Sequence, residues 1–272
     1  MSTGPAGPAT VGGDGAAAAR SLLAAADRVV ILTGAGLSAA SGLRTFRDRD
    51  GHWRNHRPED LATPAAFERD PCLVWSWYAA RREAVGAAAP NPAHLAIAEF
   101  ALSRAGVSII TQNVDALHTQ AAEQVVKERG GKVKDPALPL ELHGCLFRTR
   151  CTRCAHHHDD RAPVDASSPD TLPRCPQCGA LLRPDVVWFG ESLGEAIERA
   201  FTLGAAAQVC LVVGTSAVVQ PAASVALITR RGGGAIIEIN PEETPLTPVA
   251  EISLRATAVD AVPPLLRADL PA

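Results

Sequence analysis

The chain has 272 residues, 47% hydrophobic and 20% charged, with a formal net charge of −3. That length supports one large domain with a smaller insertion and a buried core. The charge balance gives no general affinity for nucleic acid or anionic membranes, although a total hides its distribution, and no run approaches the ~20 apolar residues of a membrane-spanning helix.

Residues 1–18 are rich in Gly, Ala and Pro and contain no Lys or Arg. They lack the basic start and apolar run of a secretory signal and the arginines of a mitochondrial presequence. They therefore read as a flexible tail, and the chain as cytoplasmic. Residues 16–27, AAAARSLLAAAD, have helical apolar spacing and predict a helix. Val29–Leu32 is a short apolar run ending at Thr33-Gly34, the pattern of a parallel strand buried on both faces. Residues 77–83 fall on a helix, within a small helical insertion near 48–90. Val107–Ile110, Val209–Val213 and Ala235–Ile239 repeat the strand pattern, with helical patterns at 92–104, 192–206 and 219–231. Alternating strands and helices predict an α/β fold, a parallel sheet with helices on both faces.

Two stretches break this rhythm. Residues 122–138 are polar, with Gly130-Gly131 and Pro136, and read as an exposed loop or short helix. Residues 145–183 are rich in Cys, His, Arg, Asp and Pro, with too little apolar content for a core of their own.

Seven cysteines suit a disulfide framework poorly, and four of them form two tight pairs. Cys151-x2-Cys154, twenty residues, then Cys175-x2-Cys178 is the spacing of a four-cysteine zinc ribbon. Four thiolates saturate zinc, so this single Zn2+ would be structural and His156, His157 and His158 solvated loop residues. Arg148, Arg150, Arg153 and Arg161 are offset by Asp159 and Asp160, with no interleaved aromatics for base stacking. No direct nucleic-acid partner and no membrane partner is expected, and a monomer is favoured.

Polar or glycine-rich turns follow three predicted strands: Thr33-Gly34-Ala35-Gly36-Leu37-Ser38, Gly214-Thr215-Ser216 and Asn240-Pro241. Glycines after a strand let backbone approach a pyrophosphate, and ligands of open α/β sheets bind at the carboxyl ends of strands. Each turn equally suits capping of the helix that follows.

The run from Gly34 through Arg47 resembles the NAD-binding segment of the sirtuins. Residues 111–115 (Thr-Gln-Asn-Val-Asp) are similar to their second signature, and Leu142-His143-Gly144 to their third, directly before the cysteine pairs. Residues 186–191, the turn at 214–216 and Asn240-Pro241 complete the order. The resemblance covers residues ~29 to 266. It implies a Rossmann-like NAD-binding domain over 19–144 and 184–272, with 145–183 as the zinc-binding module. NAD would be a co-substrate and acyl-lysine proteins the partners. His143 would be the general base, acting near neutrality as an imidazole can, with Asn113 the second catalytic residue. Gln112, Asn113 and Asp115 would line the nicotinamide-ribose pocket. Gly34, Ala35, Gly36, Ser38, Thr45, Phe46, Arg47 and Trp53 would surround the cofactor. Gly214, Ser216 and Asn240 would hold its adenosine half, with Thr215, Pro241 and Ala258 also binding the cofactor. Val187, Trp188, Phe189 and Gly190 would line the acyl-lysine tunnel and pair with substrate backbone. The implied reaction releases nicotinamide and yields free lysine and O-acyl-ADP-ribose.

Tyr78 and Arg81 are three residues apart and share a helix face. A phenol and a guanidinium there can grip a carboxylate. The bland reading is a packed Tyr and a surface Arg paired with Glu83 or Asp70. With the family resemblance, the pair favours succinyl and malonyl groups as well as acetyl; the alternatives are a plain deacetylase or a mono-ADP-ribosyltransferase. The connection near 122–138 is longer than is usual in sirtuins by roughly fifteen residues, a length that marks a functional or disordered loop.

Overall fold

Aliphatic five-residue runs build the centre of the molecule, whose computed structural model describes residues 13–43, 56–130 and 137–267. Strand β1 (Val29–Thr33) is buried at every position. It pairs in parallel with β2 (Val107–Thr111) on one side and β7 (Val209–Val213) on the other. β3 (Leu140–Glu141), β8 (Ala235–Ile239) and β9 (Ile252–Leu254) extend the parallel sheet to the order β3-β2-β1-β7-β8-β9. Alternate side chains leave opposite faces. Val29 and Ile31 meet α1 (Gly13–Ala25), α5 (Pro92–Ser103) and α9 (Ala258–Leu266) through Leu23, Ile97 and Val262. Val30 and Leu32 meet α7 (Glu195–Ala206) and α8 (Ser224–Arg231) through Ala200 and Val225. The strand order reverses between β1 and β7, which opens a crevice beyond their carboxyl ends.

A smaller lobe combines two excursions of the chain. The first holds α2 (Pro58–Leu61), α3 (Pro64–Arg69) and α4 (Pro71–Gly86). Thr63 and Asp70 cap α3 and α4 by accepting from Ala66 N and Leu73 N, each just before a proline suited to the first helical turn. The second holds an antiparallel sheet of β4 (Gly144–Cys151), β5 (His157–Asp159) and β6 (Leu182–Val186), in the order β5-β4-β6. Trp75, Tyr78, Phe67, Leu146, Phe147 and Trp188 form one core across both. The buried Trp75 indole donates to Leu182 O at 3.0 Å, and Arg82 Nε to Leu146 O at 2.6 Å. The cysteine-rich segment thus borrows its apolar side from the helical insertion.

Several expectations need correction. The first helix runs over 13–25 rather than 16–27, so residues 13–18 are not tail; Ala19 and Leu23 bury against the sheet. The stretch from 122, read as an exposed loop or short helix, begins inside the longer α6 (Leu117–Glu128), where it is not exposed: Ala122, Val125 and Val126 are buried at helical spacing. The helix expected over 219–231 starts only at Ser224. β9 and α9 had no sequence expectation. Pro263 and Pro264 argue against a helix, yet a Thr257 cap and the burial of Val262, Leu265 and Leu266 hold one. Among the described residues no helix is long and apolar enough to cross a membrane.

Candidate active site

The crevice is floored by backbone packed on backbone. Gly34 N donates to Val213 O at 3.1 Å, and Gly36 N to Gly214 O at 2.8 Å. A Cβ on Gly36 would stand 2.8 Å from Gly214 O, and one on Gly34 would stand 2.8 Å from Thr215 Cα. Neither position admits a side chain, which brings the turns after β1 and β7 together. Ala116 and Ala217 are the non-glycine residues with positive φ, at 60° and 55°, among the described residues. Both sit at this crevice, directly after Asp115 and Ser216, and such strain concentrates at functional sites.

A buried polar network lies under the turn. Ser38 Oγ donates to Asp115 Oδ2 at 2.7 Å. Asn113 Nδ2 donates to Ser38 Oγ and to Gly34 O, each at 3.1 Å. Asp115 Oδ1 also accepts from Leu117 N at 2.9 Å. Burial raises the Asp115 pKa, opposed by these hydrogen bonds and by the Arg81 charge. Deeper still, Thr111 Oγ1 accepts from both Asn113 N and Thr33 Oγ1. The Thr33 hydroxyl hydrogen is thereby spent, so His118 Nε2, 2.9 Å away, carries the hydrogen of that contact. His118 Nδ1 is then a buried acceptor, and among the described residues it has no hydrogen-bond partner. His94 lies 3.4 Å from Ser38 Oγ through Nε2, and the two imidazoles pack edge to face at 5.2 Å. Burial pushes His94 down to about 4, and burial with the neighbouring His94 pushes His118 to about 3.

His143 stands at the crevice with Nδ1 2.9 Å from Gln112 O. A carbonyl only accepts, so Nδ1 bears the hydrogen and Nε2 keeps its lone pair. Burial lowers the His143 pKa, partly offset by that hydrogen bond. The imidazole is therefore an available base at neutral pH. Its carbonyl accepts from Val187 N at 3.0 Å, which ties it to the segment carrying Trp188, Phe189 and Gly190. Phe189 is exposed, and its N–H donates to Ala62 O at 2.9 Å. Gln112 Nε2 reaches Thr215 Oγ1 at 3.0 Å, and Asn240 Nδ2 reaches Thr215 O at 2.8 Å. A buried Glu238 accepts from the hydroxyls of Thr244, Thr247 and Ser253 and from Arg255, bracing the loop after Asn240.

Tyr78 and Arg81 share one side of α4. Tyr78 is fully buried, and its hydroxyl accepts from Trp188 Nε1 at 2.8 Å. Arg81 is half-buried with its Cζ 4.7 Å from the Trp77 ring centroid and 5.7 Å from that of Tyr78. Tyr78 is therefore an interior residue with a polar end, held beside a cation.

The four cysteine sulfurs of the small lobe all lie within 4.8 Å of one another. The Cys151–Cys178, Cys154–Cys175 and Cys154–Cys178 separations are 3.5, 3.6 and 3.7 Å. A tetrahedral Zn–S bond of about 2.3 Å sets an S–S edge of about 3.8 Å. Backbone N–H groups of Arg153 and Cys154 point at Cys151 Sγ. Spacing and donor set fit one zinc ion with no open position.

The turns bearing Gly34, Ala35, Gly36, Ser38, Gln112, Asn113, Asp115, His143, Gly214, Thr215, Ser216 and Asn240 thus converge. Asn240 is followed by the exposed Pro241, and Ala258 is the buried first residue of α9. Thr45, Phe46, Arg47 and Trp53 lie outside the described residues. His94 and His118 were missed as members, whereas Thr33 opens the glycine turn and Trp188 lies in the tunnel segment that the sequence had already singled out. For His94 a signal existed, since Asn91 and His94 form a capping box before a helix; for His118 no local pattern marks the contact.

Residues 34–221 match the Sir2 family, and the chain belongs to that family. It is 50% identical over 242 residues to NAD-dependent protein deacylase 1 of Archaeoglobus fulgidus, covering 88% of this chain and 91% of that one. A crystal structure of a Sir2 homologue–NAD complex superposes with a TM-score of 0.80 at 48% identity, covering 91% of each chain. A Sir2 homologue mutant in complex with 2′-O-acetyl ADP ribose gives 0.81 at 44% identity, covering 94% of this chain and 95% of that one.

Proposed function

We propose that this protein is an NAD-dependent protein-lysine deacylase that removes succinyl and malonyl groups as well as acetyl, releasing nicotinamide and O-acyl-ADP-ribose. Membership of the Sir2 family and close relatives named deacylases support the reaction class. Bound NAD supplies the electrophilic ribose carbon, with nicotinamide as leaving group. The glycine turns at 34–36 and 214, packed backbone on backbone, would floor the site of its phosphates. Asn113, Asp115 and Gln112 would hold the nicotinamide ribose, with Ser216 and Asn240 toward the adenosine. His143 Nε2 would accept the ribose hydroxyl proton as general base, held in the productive tautomer by Gln112 O. Val187, Phe189 and Gly190 would pair with substrate backbone as an added strand. Zinc would be held by Cys151, Cys154, Cys175 and Cys178, away from the chemistry, as a structural cross-link.

The observation that carries the acyl preference is the buried Tyr78 with the Arg81 guanidinium 5.7 Å from its ring centroid. A carboxylate is the natural complement of that pair. The test compares kcat/KM for succinyl-lysine and acetyl-lysine forms of one peptide, in wild type and Arg81→Met. A succinyl preference lost selectively in Arg81→Met is expected. Equal loss on both substrates makes Arg81 merely structural, and an acetyl preference in wild type leaves a plain deacetylase. Nicotinamide release independent of any acyl peptide favours ADP-ribosyl transfer instead.

A further inference from the structure

We propose that Trp188 sets the acyl preference by orienting the Tyr78 hydroxyl, as a positioning residue for acidic-acyl recognition. The proposal rests on the reading of Tyr78 and Arg81 given above and adds the group that aims them. An indole N–H can only donate. The 2.8 Å contact from Trp188 Nε1 therefore occupies a lone pair of the phenol and turns its hydrogen elsewhere. Among the described residues Tyr78 donates to no acceptor, although it is 0% exposed. A buried hydroxyl hydrogen without an acceptor is costly. That cost is relieved when an acceptor arrives with the substrate, and a carboxylate is the strongest candidate. A phenol already accepting one hydrogen bond is also polarised into a better donor. Arg81, one helical turn on, supplies the positive charge.

Trp188 is itself fixed on several sides. Its backbone N–H donates to Glu191 Oε2 at 2.8 Å. The Arg183 guanidinium sits 3.2 Å from its ring centroid. Glu191 holds Arg183 in turn through contacts of 2.5 and 3.0 Å. Phe67 packs on the ring at 5.4 Å. The indole therefore has no freedom to follow the phenol, and the phenol must take the orientation the indole allows.

The experiment uses the full chain, one peptide in succinyl-lysine and acetyl-lysine forms, and four proteins: wild type, Trp188→Phe, Tyr78→Phe and the double variant. Trp188→Phe keeps an aromatic ring but deletes the donor. Its succinyl-to-acetyl ratio of kcat/KM should fall about fivefold to tenfold, the range of one net hydrogen bond, with the change in KM for the succinyl peptide. The double variant should match Tyr78→Phe alone, because Trp188 acts only through the phenol. The ratio is taken within each preparation, so a reduced folded fraction cancels from it. An unchanged ratio in Trp188→Phe, or a further loss in the double variant, overturns the proposal. Arg81→Met separates the two failures. If it abolishes the preference while Trp188→Phe retains it, only the positioning role falls; if wild type has no acidic-acyl preference, both fall.

Discussion

Acidification should destabilise this fold through the two histidines beneath the Ser38 turn. His94 and His118 are 0% and 2% exposed. Burial holds them at about 4 and about 3, against an ordinary value of 6.5. The folded pKa is the lower one, so between these values the unfolded chain binds more protons. Stability is then intact above pH 6.5 and falls as pH drops toward 4. At pH 5 the unfolded imidazole is favoured by about 1.5 pH units of protonation, or about 2 kcal/mol per histidine and about 4 kcal/mol for the pair. That is a large share of a typical domain's 5–15 kcal/mol. The assay is urea unfolding at pH 8, 7, 6 and 5, followed by the fluorescence of the four tryptophans, on wild type and on His94→Gln/His118→Gln. Zinc loss and carboxylate titration are common to both proteins and cancel in the difference. Wild type should lose about 4 kcal/mol more than the double variant between pH 8 and 5. Equal pH slopes would refute the reasoning, because they would mean that these imidazoles are not held neutral by burial.

The remaining predictions concern the base and the metal. Burial lowers the His143 pKa, so the acid limb of kcat/KM should lie below the ordinary 6.5. A pH–rate profile with its acid limb above that value would show that the base is another group or a solvated imidazole. Cys175→Ser should bring zinc below one equivalent per chain, since three thiolates do not close the site. The near-ultraviolet circular dichroism of buried Trp75 and Trp188 should collapse with it, whereas the far-ultraviolet signal of the parallel sheet and its helices should persist. Retention of a full zinc equivalent would rule out the four-cysteine site.

What was legible in the sequence was local. Val209–Val213 and Ala235–Ile239 announce themselves as uninterrupted aliphatic runs, because a strand buried on both faces needs no polar alternation. The four cysteines announce the metal because a two-residue gap already places two thiolates at one ion. The stretch from 122 stayed open between loop and short helix because Ala, Val, Gln and Lys alternate without a strong stripe, and only packing against α5 shows which side is buried. α9 was invisible because two prolines outweigh any local signal.

The sequence by itself determined the strand ends, the turn chemistry after them and the zinc ligands, all of which depend on residues within a few positions of each other. Tertiary structure alone decided which turns meet and in what protonation state. Gly36 must be glycine because Gly214, from another strand, lies against it. The His143 tautomer follows from a carbonyl 31 residues earlier, and the Tyr78 hydroxyl is aimed by an indole 110 residues later. Such partners are selected by the closing of the sheet and the shared core of the small lobe, so no spacing along the chain encodes them.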